Sequence, residues 1–218
     1  MRSWYRIAHS LVRHELLLLA SLLRWVARRP HGVGEDGSRV FGYARGQGAM
    51  MFGFGFVCVV ETVALSVLLR DFPLMHSVFL VLDLYTILIV AGLHAASVTR
   101  PHVLTGTTLR VRRFATVDLC VPLSAVASVR RELRTTHEKR DGELNMEVGS
   151  QTTVTLELAE PLSYLTFFGR PREVRLVRFH ADESDQLVRA VREFMPDRPD
   201  RPERPERTVP SPLPARTV

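Results

Sequence analysis

The sequence predicts a membrane α-helical hairpin joined to a small β-barrel or sandwich that a C-terminal helix closes. Three observations predict it. Two long apolar runs, each nearly free of charge, stand either side of a short connector that contains Pro73. From residue 99 onward the apolar residues alternate instead of running on. After the last alternating run comes a short amphipathic segment with helix start and stop signals.

Chain-wide averages conceal this organisation. The 218 residues are 46% hydrophobic and 24% charged, with a net charge of +6, values ordinary for a soluble globular protein. Thirteen Gly and two Cys exclude collagen-like and disulfide-scaffold classes. Taken by segment, residues 1–48 hold eight Arg against three acids, and residues 49–99 one Arg against three acids. Residues 100–195 hold fifteen basic against thirteen acidic residues, and the tail five against four. Most of the positive charge therefore precedes the first apolar run.

Residues 1–29 read as an amphipathic helix lying in the membrane interface. At about 100° per residue, Arg2, Arg6, Arg13, Arg24 and Arg28 form one basic stripe, opposed by Trp4, Ile7, Leu11, Leu18, Leu22, Trp25 and Val26. Such a stripe suits an anionic leaflet, which attracts each nearby Arg by about 1 kcal/mol. A helix packed on the protein's own cytoplasmic domain is the alternative. A secretory signal is not expected, because charges interrupt the Leu-rich stretch and no small-x-small cleavage site follows it. Residues 30–48, with six glycines, read as a flexible linker.

Residues 49–69 contain one charged side chain, Glu61, and residues 75–98 contain Asp83. Some 21 residues of helix span roughly 30 Å, the thickness of the hydrocarbon core. Arg28, Arg29, Arg39 and Arg45 precede the first run, and Arg100, Arg110, Arg112 and Arg113 follow the second. The positive-inside bias thus predicts a multi-pass cell-membrane protein with both termini cytoplasmic. No disulfide is expected between Cys58 and Cys120.

In residues 99–195, strands are predicted at 102–104, 109–113, 116–121, 125–131, 144–148, 152–158 and 173–179. A helix follows, with Asp182 as candidate N-cap and Pro196 past its end. The tail, 196–218, repeats Asp/Glu-Arg-Pro and reads as disordered.

Two spans followed by "RPHVLTGTTLRVRR…VPLSAVASVR" and a terminal "FHADESDQLVRAVREF" resemble bacterial two-span membrane proteins with a cytoplasmic pleckstrin-homology-like domain. The resemblance covers residues 49–195 and implies a seven-stranded bent barrel capped by a C-terminal helix. It implies no activity, since this fold serves lipid, peptide and protein recognition alike. Arg110, Arg112 and Arg113 occupy the first hairpin, where eukaryotic domains of this kind are basic, but alternation gives Arg110 and Arg112 to one face only. No lipid site is carried over on that ground.

Two constellations remain. Glu61 lies eight residues from Leu69 and Asp83 eight from Met75, so a hairpin would set two costly carboxyls at similar depth. They read either as a proton or cation relay in a homo-oligomer, or as interhelical hydrogen bonds, Thr62 and Thr86 being the candidate partners. The apolar stretch 161–170, with Leu162, Tyr164, Leu165, Phe167 and Phe168, reads either as a packed strand or as a loop that grips a partner. No catalytic, metal-ligating or nucleotide motif is present. The sequence therefore predicts no enzyme, no cofactor, no metal and no nucleic-acid binding. It predicts a membrane-anchored interaction module that meets membrane lipids and a protein partner; oligomeric proton or cation handling is the alternative.

Overall fold

The computed structural model describes residues 2–28, 37–138, 140–166 and 170–195, residues 2–6 by their backbone alone. Helix α1 spans Arg2–Val26, α2 Gly48–Leu68 and α3 Pro73–Thr99. Pro73 stands in the first turn of α3, where its missing N–H costs no helical bond. α2 and α3 are each long and apolar enough to cross a membrane. They pack antiparallel, close enough that a Cβ on Gly55 would lie 4.0 Å from Val90. Their other faces carry unburied apolar groups, with Phe52 78% and Leu74 75% exposed.

Among the described residues, eight strands form two four-stranded sheets. β1 (Arg39–Phe41), β2 (His102–Leu104), β3 (Thr108–Arg113) and β4 (Val117–Pro122) pair antiparallel in that order. The second sheet runs β5 (Val126–Arg134), β7 (Thr152–Leu165), β8 (Pro171–Phe179), β6 (Gly142–Met146), with β6 parallel to β8. Neither sheet is closed into a barrel. Leu109, Val111 and Val121 of the first sheet and Val154, Leu156 and Val177 of the second share one core with Leu187 and Val191. The last two belong to helix α4, Ser184–Phe194.

Three sequence expectations change. The span 30–48 is not uniformly a linker: Arg39–Phe41 pairs with β2, and Phe41 and Tyr43 are buried. Arg39 also bonds Glu193 of α4 at 2.7 Å and lies over the Phe194 ring. Asp182 does not cap α4. Its carboxylate instead accepts from the Arg45 N–H at 3.2 and 3.3 Å, and its own N–H donates to the Gly42 carbonyl at 2.9 Å. Finally, β7 continues to Leu165, past a register shift between Glu157 and Leu162 that accommodates Pro161. The predicted tail, 196–218, lies outside the described residues.

Candidate functional site at the foot of α3

Alternation along β3 sends Leu109 and Val111 into the core and leaves Arg110 and Arg112 on the opposite face. The β3–β4 register places Asp118 directly across from Arg112. Arg110 grips the Asp118 carboxylate with both ends of its fork, Nε to Oδ1 at 2.6 Å and Nη2 to Oδ2 at 2.9 Å. Arg100, the residue that follows α3, adds Nη2 to Oδ2 at 3.1 Å. Arg112 Nε stands 3.6 Å from Oδ1. The side chains of Arg112 and Arg100 are 0% and 5% exposed, so one carboxylate serves two buried guanidiniums and one surface guanidinium. Burial pushes the Asp118 carboxyl up, but Arg110, with Arg112 and Arg100 beside it, more than reverses this and holds it below the usual carboxylate range. The first-hairpin arginines Arg110 and Arg112 are thus turned onto the chain's own Asp118.

Beside the cluster, the β3–β4 turn is held in an unusual conformation. Phe114 has φ 48°, the left-handed region that costs a side-chain-bearing residue about 1 kcal/mol or more. Both of its backbone polar groups are engaged: its N–H donates to Tyr43 Oη at 2.9 Å, and its carbonyl accepts from Arg100 Nη1 at 3.1 Å. Tyr43 is fully buried, and burial raises its phenol to about 12 even though the Phe114 N–H and the neighbouring arginines pull the other way.

The Tyr43 ring stacks on His102 at 4.9 Å, and His102 meets Phe179 edge-on at 5.0 Å. The Arg112 N–H donates to His102 Nδ1 at 3.1 Å, which leaves the Nε2–H to donate to the His180 carbonyl at 2.9 Å. One imidazole therefore ties the first sheet to the chain leaving the second. Burial drives its pKa down to about 4, the His180 hydrogen bond opposing only in part. His180 is also lowered by burial, with Asp182 3.6 Å from its Nε2 acting against the shift.

The predicted intramembrane acids are not joined to each other. Glu61 is exposed on α2; Asp83 is half-buried on α3, and its Oδ2 has no hydrogen-bond partner among the described residues. Thr62 and Thr86 bond back to Cys58 and Leu82 of their own helices. The carboxylate that does meet α3 is Glu15, which accepts from Tyr85 Oη at 2.5 Å.

That bond belongs to the crossing of α1 over α3. Leu18 sits against Gly92, and Trp25 meets the His94 ring edge-on at 5.6 Å. A Cβ at Gly92 would lie 3.1 Å from Leu18 Cβ. Gly92→Leu should therefore force the helices apart at a cost of roughly 1–3 kcal/mol. Trp25 fluorescence in a Trp4→Phe background reads the crossing, and an unchanged emission maximum would contradict this close fit. Of the basic stripe, Arg13 and Arg28 are exposed and Arg24 is half-buried, while the Arg2 and Arg6 side chains lie outside the described residues.

In the aromatic stretch, Leu162 and Tyr164 pair with Val174 and Arg172 of β8 and pack against the core, whereas Leu165 is 70% exposed. Phe167 and Phe168 lie outside the described residues. Sequence reasoning missed Asp118, His102 and Tyr43. The signal for Asp118 was present, since a three-residue β3–β4 turn, 114–116, fixes which residue faces Arg112. No protein-family model, curated protein or solved structure matches the chain.

Proposed function

We propose that this chain is a non-enzymatic, membrane-anchored interaction module. α2 and α3 cross the membrane as a hairpin, with residues 69–72 outside. α1 packs across the cytoplasmic half of α3, from Tyr85 through Gly92 to His94, and the two sheets with α4 form a pleckstrin-homology-like sandwich on the same side. The observation that carries this reading is where apolar surface lies unburied. Among the described residues, the large exposed apolar side chains belong almost wholly to α1, α2, α3 and the connector, while the sheets bury theirs. So large an exposed apolar belt requires a non-aqueous surround. The arginines that follow the belt at Arg100, Arg110 and Arg112 fit the cytoplasmic side.

Impermeant maleimide labelling tests the arrangement in a background with Cys58 and Cys120 replaced by serine. The Asp71→Cys variant should label on intact bacterial cells, and the Arg189→Cys variant only after lysis. Equal labelling of both on intact cells would overturn the topology.

A further inference from the structure

Between the first half of α1 and the outer side of the β3–β4 hairpin lies a cleft of about 730 Å³. Arg13 and His14 line it from α1, Arg100 from the end of α3, Thr116 and Asp118 from the hairpin, and Leu165 from β7. Its charges do not balance. Asp118 already gives both oxygens to Arg110 and Arg100, so no free carboxylate faces Arg13 from that wall. Arg13 makes no hydrogen bond or ion pair with any described residue. Arg100 is held in place through Nη1 and Nη2, yet its buried Nε has no partner. The cleft's described carboxylate, Asp118, is thus taken by Arg110 and Arg100, and Arg13 faces the same cleft without a counter-ion among the described residues.

We propose that this cleft binds the phosphate of an anionic membrane phospholipid. Guanidinium forks match phosphate oxygens in pairs, whereas a single carboxylate already shared by three arginines has no acceptor to spare. The cleft's remaining wall points to a lipid over a free phosphate. Leu17, Leu119 and Leu165 supply apolar surface beside the charges. Arg100 is also the residue immediately after α3, which sets the cleft level with lipid head groups. The phosphate sits on Arg13, with the guanidinium of Arg100 adding positive charge from the wall behind it and the glycerol and first acyl carbons against the leucines. The assignment rests on the membrane reading above. It uses α1 and β7, apart from the first-hairpin arginines that Asp118 occupies.

The test is binding of fluorescent phosphatidylglycerol to the full chain in maltoside micelles. Arg13→Gln should weaken binding about tenfold. Arg24→Gln, which removes the same charge from α1 outside the cleft, should change it less than twofold. Labelled phosphatidylcholine should bind at least tenfold more weakly, and millimolar inorganic phosphate should displace little of the probe. Equal losses in the two variants would reduce the effect to diffuse surface attraction and overturn the site. Full displacement by inorganic phosphate would overturn the lipid as its ligand. Either failure leaves the maleimide topology result standing, so the cleft and the anchor are judged separately.

Discussion

Replacing Asp118 with asparagine is expected to destabilise the β domain by about 3 kcal/mol. The substitution keeps the size of the side chain and removes its charge. Arg112 and Arg100 then remain out of water and close together, and the Asp118 charge no longer offsets their mutual repulsion. Arg110 can turn to solvent, since its side chain is about half exposed, which keeps the loss below the top of the range for buried pairs. Denaturant unfolding of the full chain in detergent, followed by circular dichroism, measures the change. Glu157→Gln supplies the contrast. It removes the 2.6 Å partner of Arg130 at the surface, where such pairs contribute less than about 1 kcal/mol. Equal effects from the two substitutions would refute the special standing of the Asp118 cluster.

Acidification should be nearly as costly. His102 has its pKa near 4 when folded, against an ordinary 6.5. Between those values the unfolded chain takes up a proton that the folded chain refuses, so stability falls as the pH is lowered. The contribution is fully present above about pH 6.5 and is lost progressively down to about pH 4. Over that window the loss comes to about 3 kcal/mol. His180, lowered for the same reason, adds in the same direction. Asp118, held below the ordinary carboxylate value, extends the loss to still lower pH. His102→Gln keeps an acceptor and a donor on the ring's two sides and cannot titrate, so its unfolding midpoint should depend less on pH between 7 and 4. An unchanged pH dependence in that variant would remove His102 as the cause.

The apolar helices and most strands were legible because each announces itself within a short window. Unbroken apolar residues mark α2 and α3, and alternation marks β3, β4 and β8. β1 announces nothing. Three residues are too few to show a period, glycines surround them, and the partner strand begins at His102, far along the chain. Tyr43 and His102 were hidden for the same reason, each being explained only by the other. The far half of β7 was obscured by Pro161, which is unwelcome inside a ladder. It is tolerated because β5 pairs with β7 only as far as Leu158, and the β8 pairing lapses from Glu157 until Leu162. The parallel pairing of β6 with β8 is likewise a matter of tertiary geometry. In the candidate site, alternation assigned Arg110 and Arg112 to a common face, but Arg100 joins them only because just two residues, Arg100 and Pro101, separate α3 from β2.

The pairing of β1 with β2 places the whole α2–α3 hairpin inside the β domain, between two neighbouring strands. In the proposed topology, the ribosome delivers β1 before either span and β2 after both. The first sheet can acquire its outer strand only if the chain has returned to the side from which it left. A second helix that failed to cross would strand β2 on the far side of the bilayer, leaving Phe41 and Tyr43 with nothing to cover them. In that topology, threading the membrane correctly and completing the β domain are a single event, and a misthreaded chain would expose its own error as an unfinished sheet edge.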